Sequence, residues 1–225
     1  MSGPMASYLI HLNAMAGGLF LLAAFAIVAT RQMRACLRWF IAQALLLAAS
    51  AIILGIALGS LHLAAVAAIT ILTKTIVTPW LIRRTVRREL YSRREISQVL
   101  NIPSSLLIAA ALTLLAYAIT YPLTAFAASP FSDINVPLGL AGLFLGAYTV
   151  AVRREALSQL LGLLAMENGA FLAAVAIAPD LPYIAELTVA FDVPVTTLVI
   201  GLLTRRIHER TGATSVGLLT ALRER

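Results

Sequence analysis

The stretch Ala156–Ala178, ALSQLLGLLAMENGAFLAAVAIA, decides the class of fold. A helix needs about 20 apolar residues to cross the roughly 30 Å hydrocarbon core of a bilayer. This stretch is long enough, and apolar residues flank its centre on both sides, Leu160-Leu161 before it and Val175-Ala176-Ile177 after it. Glu167 and Asn168 nevertheless stand in its middle, where lipid would surround a helix on its own. The stretch therefore predicts a membrane-spanning helix whose polar residues must be shielded from lipid by other helices.

The composition of the whole chain extends this prediction to the rest of the protein. Of the 225 residues, 60% are hydrophobic and 12% are charged, and the mean hydropathy is +0.92. Soluble domains are about half apolar and a quarter charged, and a chain of this length could not bury so much apolar surface in water. Lipid leaves every backbone polar group to be satisfied within the segment. We therefore predict an all-α polytopic membrane protein.

Seven apolar stretches are candidates for spanning helices. The fifth is the weakest, because it is short and follows the turn-like sequence SPFSDINVP, so both six and seven helices fit the pattern. The predicted spans are Met5–Thr30, Leu37–Leu58, Leu61–Ile82, Pro103–Phe126, Val136–Val152, Ala156–Ala178 and Pro182–Thr204.

The basic residues predict the orientation of these spans. Short cytoplasmic loops carry an excess of Lys and Arg, and with seven helices sixteen of the 17 basic residues fall on one side of the membrane. We therefore predict an external amino terminus and a cytoplasmic carboxyl terminus. This asymmetry accounts for the net charge of +7, so the charge is no argument for a nucleic-acid partner. The sixteen residues are Arg31, Arg34, Arg38, Arg83, Arg84, Arg87, Arg88, Arg93, Arg94, Arg153, Arg154, Arg205, Arg206, Arg210, Arg223 and Arg225.

Cysteine and histidine suggest neither a metal centre nor a disulfide. Cys36 is the single cysteine, and His11, His62 and His208 fall on different segments without ligand spacing. We expect no cofactor, no metal and no active site in this chain. No basic region precedes the first span, which argues against a cleaved signal peptide.

Three ionisable residues are predicted to lie deep in the membrane: Lys74, Glu167 and Asp192. At about 1.5 Å per residue, Lys74 is about 15 Å from Arg84, Glu167 about 20 Å from Arg154, and Asp192 about 21 Å from Arg206. A charge at such depth costs about 2.5–3.5 kcal/mol on insertion scales, so these residues face a protein interior or water and commonly serve function. The three residues are therefore candidates for proton translocation.

Other polar or helix-breaking residues could support these groups. Asn168, beside Glu167, can both donate and accept hydrogen bonds, and Pro194 removes a backbone donor close to Asp192. The alternative is static: Lys74 and one acid could form an ion pair that fixes the register of two helices. Such a pair would still leave one of the two acids over.

An internal similarity suggests a duplicated unit. GLFLLAAFAIVATRQMRACLRWFIAQALLLA, from Gly18, aligns without a gap on GLFLGAYTVAVRREALSQLLGLLAMENGAFLA, from Gly142, and places Gln43 opposite Glu167. Two units of the same orientation would be parallel repeats. Within one membrane domain, 1–225, we therefore predict a first three-helix unit, 5–90, and a second, 136–210. Residues 91–135 would form a cytoplasmic loop, the fourth helix and an outer loop, and residues 211–225 a cytoplasmic tail.

Three passages resemble the hydrogenase-4 component E family, membrane subunits of formate-hydrogenlyase-type [NiFe]-hydrogenases related to respiratory complex I. The similar passages are ITILTKTIVTPWLI (Ile69–Ile82), LLAMENGAFL (Leu163–Leu172) and SVGLLTALR (Ser215–Arg223). The carboxyl-terminal half also resembles the smallest proton-channel membrane subunit of complex I. In that subunit the acid of the third helix is Glu, whereas this chain has an Asp followed by a proline.

The resemblance implies a non-catalytic subunit of an oxidoreductase complex in the inner membrane of a prokaryote. Glu167 and Asp192 would match the family's membrane acids and Lys74 its lysine, and either H⁺ or Na⁺ could be the transported ion. Antiporter-like and quinone-module-like membrane subunits and peripheral hydrogenase subunits would be the partners, and nickel–iron and iron–sulfur centres would lie in those partners alone. A non-conducting scaffold subunit and an autonomous small transporter are the alternatives. The arginine-rich segment Arg83–Leu100 could contact either anionic lipid headgroups or a peripheral partner.

Overall fold

The computed structural model describes residues 4–85, 96–124 and 129–178 of the chain. The predicted seventh span, with Asp192 and Pro194, lies outside these residues, as do most of the segment after Arg84 and the carboxyl-terminal tail. The predicted duplication, which depends on that seventh span, remains a prediction.

The described residues are almost entirely helical and contain no strand beyond one isolated bridge between Gln98 and Arg153. Within these ranges, six helical stretches are long and apolar enough to cross a bilayer. The chain is therefore a multi-pass, all-α membrane protein, as its composition predicted. In chain order the helices are α1 (Pro4–Ala29), α2 (Met33–Leu58), α3 (Leu61–Thr70), a π-helix (Ile71–Val77), α4 (Thr78–Thr85), α5 (Ile102–Thr124), α6 (Pro130–Val152) and α7 (Ala156–Ile177).

The fifth span begins earlier than the sequence predicted. Helix α6 starts at Pro130 rather than at Val136, so SPFSDINVP forms the cap and the first turns of a full-length helix. The Ser129 hydroxyl accepts a hydrogen bond from the amide of Ser132 at 3.3 Å, and proline is well suited to the first position of a helix because its missing N–H would have no partner there. The predicted loop was wrong because these capping residues were taken for a turn.

Among the described helices, α6 and α7 form the most extensive contact, and glycine makes this contact possible. A Cβ atom added to Gly169 of α7 would lie 2.2 Å from the amide nitrogen of Leu143 and 2.5 Å from the carbonyl carbon of Gly142. One turn further along, a Cβ on Gly146 would lie 2.4 Å from the amide nitrogen of Met166. The two backbones thus touch directly, which small residues allow in membrane helix pairs.

The remaining helices are arranged around this pair. Helix α1 packs between α2 and α6, and α2 also contacts α7 and the third span, which consists of α3, the π-helix and α4. Helix α5 packs mainly on α6 and exposes large apolar side chains such as Leu107 and Leu114. In a membrane protein such side chains face lipid or a neighbouring subunit. Gln43 of α2, Lys74 of the third span and Asn168 of α7 are buried instead.

Candidate functional site

Three polar side chains from three helices meet in the interior of the bundle. The ammonium group of Lys74, on the π-helix, donates a hydrogen bond to Oδ1 of Asn168 on α7 at 2.7 Å. The amide nitrogen of Asn168 donates in turn to Oε1 of Gln43 on α2 at 3.3 Å. Lys74 is 3% exposed, and the other two residues are fully buried. We call these three residues the Lys74 cluster.

The local backbone explains how Lys74 reaches this position. The residues Ile71–Val77 form a π-helix in which the amide of Thr78 bonds to the carbonyl of Thr73, five residues earlier. Proline in a helix removes one hydrogen bond and clashes with the carbonyl four residues before it, and Pro79 lies two residues beyond the end of this segment. The wider turn relieves that clash. Short π-helical segments are rare and frequently lie at functional sites.

The three residues of the cluster lie at a similar depth. At about 1.5 Å per residue, Lys74 is about 15 Å from Arg84, Gln43 about 15 Å from the start of α2, and Asn168 about 18 Å from the start of α7. All of these helix ends lie on the side of the membrane that carries Arg34, Arg84 and Arg154, which we call the arginine-rich side. The cluster therefore lies near the middle of the membrane.

The chemistry of the Lys74 cluster suits a buried cation. The carbonyl oxygen of Asn168 faces the ammonium group, and the ring of Phe171 lies 5.7 Å from Nζ, within the range of a cation–π contact. A lysine has three N–H donors and no acceptor, whereas amides carry both. Neither amide is a base near neutral pH, whereas the side chain of Lys74 is an amine. The amides orient it.

The sequence predictions divide into three groups at this point. Lys74, Asn168 and Gln43 are brought together by the fold. Glu167 is partly buried on α7, about 100° around the helix from Asn168 because 3.6 residues make one turn. Asp192 and Pro194 lie outside the described residues. The role of all these residues in ion translocation remains a prediction.

A second polar cluster was not predicted from the sequence. The amide of Asn13 on α1 donates to Oδ1 of Asn135 on α6 at 2.9 Å, the Ser50 hydroxyl of α2 donates to Oδ1 of Asn13 at 2.6 Å, and the amide of Asn135 donates to the Ser50 hydroxyl at 3.0 Å. All three residues are at most 1% exposed. We call them the asparagine cluster. The signal for it was present: three polar residues interrupt apolar stretches, but none carries a charge.

Arg153 is a further buried polar residue whose position was not predicted from the sequence. It was predicted only as one of the cations flanking a span, yet it is 2% exposed. Its guanidinium donates to the carbonyl oxygens of Ile27 and of Thr30, the latter at 2.9 Å, and contacts Sγ of Cys36 at 3.3 Å. The positive charge thus lies at the carboxyl end of α1, where the unsatisfied carbonyls and the helix dipole favour it.

No group of three His, Cys, Asp or Glu residues that could hold a metal ion is present among residues 4–85, 96–124 and 129–178. Cys36, the single cysteine, is buried and reduced.

Comparison with known proteins gives one clear relationship and one distant relationship. Protein Rv0085 of Mycobacterium tuberculosis, whose function is uncharacterised, is 36% identical over 220 residues, which cover 97% of this chain and 99% of the relative. The chain belongs to the family of Rv0085. The chain is also distantly similar to hydrogenase-4 component E: the proteins of that name from Escherichia coli K12 and Shigella flexneri are each 26% identical over 216 residues, 92% of this chain and 94% of theirs.

No family model matches the sequence, and no solved structure matches it. The distant similarity spans nearly the full length of both chains, so it extends to every helix described above. It includes the segments that carry Gln43, Lys74 and Asn168.

Proposed function

We propose that the protein is an integral membrane subunit of a hydrogenase-type, complex I-related assembly. The similarity to hydrogenase-4 component E over nearly the full length of both chains supports this proposal. The buried lysine and amides of the Lys74 cluster support a role in ion translocation. Redox chemistry with nickel–iron and iron–sulfur centres would take place in partner subunits. This chain would contribute a path for H⁺ or Na⁺ through the membrane.

The observation that carries the proposed role is the buried hydrogen-bonded chain from Lys74 through Asn168 to Gln43. A lysine near the middle of a membrane is costly, and residues of this kind mark ion and proton pathways. The ammonium can release a proton and take it back, while the two amides hold it in place. Glu167 and Asp192 are the acids with which Lys74 would exchange protons, through intervening water.

The subunit role is tested by purification. The full chain, tagged at one terminus and expressed from its own host, should co-purify with membrane subunits and with a metal-containing peripheral subunit. If it purifies alone from mild detergent under conditions that preserve other membrane complexes, the proposal of a subunit is wrong.

The conducting role is tested in the assembled complex. In membrane vesicles we expect Lys74→Met, Glu167→Gln and Asp192→Asn each to lower ion translocation per electron transferred by about tenfold, the effect of 1.4 kcal/mol on a rate. Asp133→Asn is the matched control, because Asp133 is an exposed carboxylate at the first turn of α6. Unchanged translocation in all three variants would exclude the conducting role.

A scaffold role is the second candidate, and the hydrogen bond and ring contact of Lys74 favour it specifically. These contacts could simply hold the third span against α7, since buried ionic groups can fix the register of helices. In that case Lys74→Met lowers the yield of complex while translocation per assembled complex is unchanged. Measuring both quantities on the same preparation separates the two roles.

A further inference from the structure

Among the described residues, five threonine hydroxyls follow a pattern that Thr75 and Thr78 break. In a helix a threonine hydroxyl commonly donates to the carbonyl four residues earlier. Such bonds, 2.6–2.9 Å long, are made by Thr30, Thr73, Thr113, Thr120 and Thr149. The hydroxyls of Thr75 and Thr78 are buried and have no hydrogen-bond partner among the described residues.

The π-helix explains the exception. Its bonds run from each amide to the carbonyl five residues earlier, as from Thr78 to Thr73, so the carbonyls are displaced from the positions that a threonine hydroxyl meets in an α-helix. Pro79 has no amide hydrogen and therefore leaves one further backbone carbonyl of this turn without its usual donor. The hydroxyls of Thr75 and Thr78 therefore lack partners among the described residues, in a turn that has also lost one backbone donor.

A third polar group of this kind belongs to the Lys74 cluster. Nε2 of Gln43 is buried and also has no partner among the described residues, although Oε1 of the same side chain accepts from Asn168. Lys74 and Thr78 are four residues apart and share a face of the third span, with Thr78 about 6 Å nearer the arginine-rich side. Buried polar groups without protein partners are commonly satisfied by ordered water.

We propose that Thr75, Thr78 and the amide nitrogen of Gln43 hold a buried group of water molecules next to Lys74, on its arginine-rich side. Each of these groups can form hydrogen bonds with water, and the two hydroxyls can both donate and accept. The presence of this water does not depend on the function proposed above. Its role in carrying protons to Lys74 from the arginine-rich side rests on that function.

Cysteine labelling tests the water site directly. In the full chain with Cys36→Ser, Thr78→Cys is treated with 2-aminoethyl methanethiosulfonate in inverted membrane vesicles. A thiol reacts as its thiolate, which needs water, so we expect Thr78→Cys to be labelled at least about tenfold faster than a thiol facing lipid.

Ile76→Cys is the matched control, because Ile76 lies on the same π-helix at nearly the same depth and its side chain is 56% exposed on the outer surface of the described bundle. The Cys36→Ser chain without a new cysteine gives the background. Labelling of Thr78→Cys no faster than that of Ile76→Cys overturns the proposal. Recovery of each variant as a monodisperse chain is checked before its labelling is compared.

A second pair of variants removes the hydroxyl without changing the shape of the side chain. In the assembled complex, Thr78→Val should lower ion translocation about fivefold through loss of one water ligand, and Thr78→Ser should restore it. Thr113→Val should have no effect, because the Thr113 hydroxyl already donates to the carbonyl of Ala109 at 2.9 Å. Fast labelling of Thr78→Cys together with full translocation by Lys74→Met would keep the water site and reject the proposed function.

Discussion

Asn168 shows how one side chain sets the chemistry of the membrane interior. Its carbonyl oxygen accepts from Lys74, and its amide donates to Gln43. A leucine in this position would leave both neighbours without these bonds, and each buried polar group left unsatisfied costs about 1–3 kcal/mol. An amide stabilises the ammonium by accepting a hydrogen bond from it and carries no charge of its own.

The asparagine cluster gives a prediction at the same scale. Asn135→Ala removes the acceptor for Asn13 and the donor to Ser50. We expect it to lower the free energy of unfolding by about 1–2 kcal/mol, measured by denaturation in mixed micelles. Asn13→Ala breaks part of the same network, so the double variant should lose less than the sum of the two single variants. Strict additivity would show that the two asparagines act independently.

Site residues could be predicted from the sequence where a charged residue, or an amide next to one, interrupts an apolar span. Lys74 and Asn168 stand out because a lysine and an amide beside a glutamate are costly within apolar spans. Gln43 was found only through the internal alignment. The asparagine cluster was missed because Asn135 lies in the stretch that was taken for a loop, and because uncharged residues in spans are common. Contacts between distant spans leave no pattern in a single sequence.

At the scale of the helices, the contact between α6 and α7 depends on glycine. Gly169→Ala would place a Cβ within 2.2 Å of the Leu143 amide, and this contact involves backbone that cannot move aside. We expect a loss of at least about 1–3 kcal/mol in unfolding free energy, as for an overpacked core, and a lower melting temperature in detergent.

Gly18→Ala is the matched control for this change. Gly18 also lies inside a helix, α1, but a Cβ there would meet nothing within 4 Å. Alanine has the higher helix propensity, so Gly18→Ala should leave stability unchanged or raise it slightly. Equal effects of the two substitutions would mean that the backbone contact is not decisive.

Most helices were predictable because the bilayer requires a fixed apolar length. The last described helix, predicted as Ala156–Ala178, runs over Ala156–Ile177. The start of α6 was predicted too late because its proline and serines occur equally in caps and turns. The π-helix was not foreseen, since one extra residue per turn changes apolar periodicity very little in a segment that is apolar on most sides. Pro79 was its one available signal.

At the scale of the whole molecule, Arg153 joins elements that are far apart in sequence. It follows α6 directly, binds the carboxyl end of α1 and contacts Cys36 near the start of α2. Its backbone also bridges to Gln98 in the segment that precedes α5. One buried side chain thus holds the arginine-rich ends of three spanning helices together.

Replacing this arginine should therefore destabilise the whole bundle. Arg153→Met leaves the carbonyls of Ile27 and Thr30 without the guanidinium, and we expect a loss of about 2–4 kcal/mol, since bonds to charged groups contribute about 1.5–3 kcal/mol each. The neighbouring Arg154 is exposed, so Arg154→Met should change stability by no more than about 0.5 kcal/mol. Thermal unfolding of the two purified variants checks the difference, and similar melting temperatures would contradict it.

The glycine contact between α6 and α7 has a mechanical consequence for the assembly as a whole. Because the two backbones touch at successive turns, neither helix can rotate about its own axis without moving the other. A torque that a neighbouring subunit applies to the end of α6 opposite the arginine-rich side would then turn α7 as well, and would change the angle at which Asn168 faces Lys74. In this way the rigid backbone contact between α6 and α7 would transmit a movement of a distant partner to the hydrogen bond between Lys74 and Asn168.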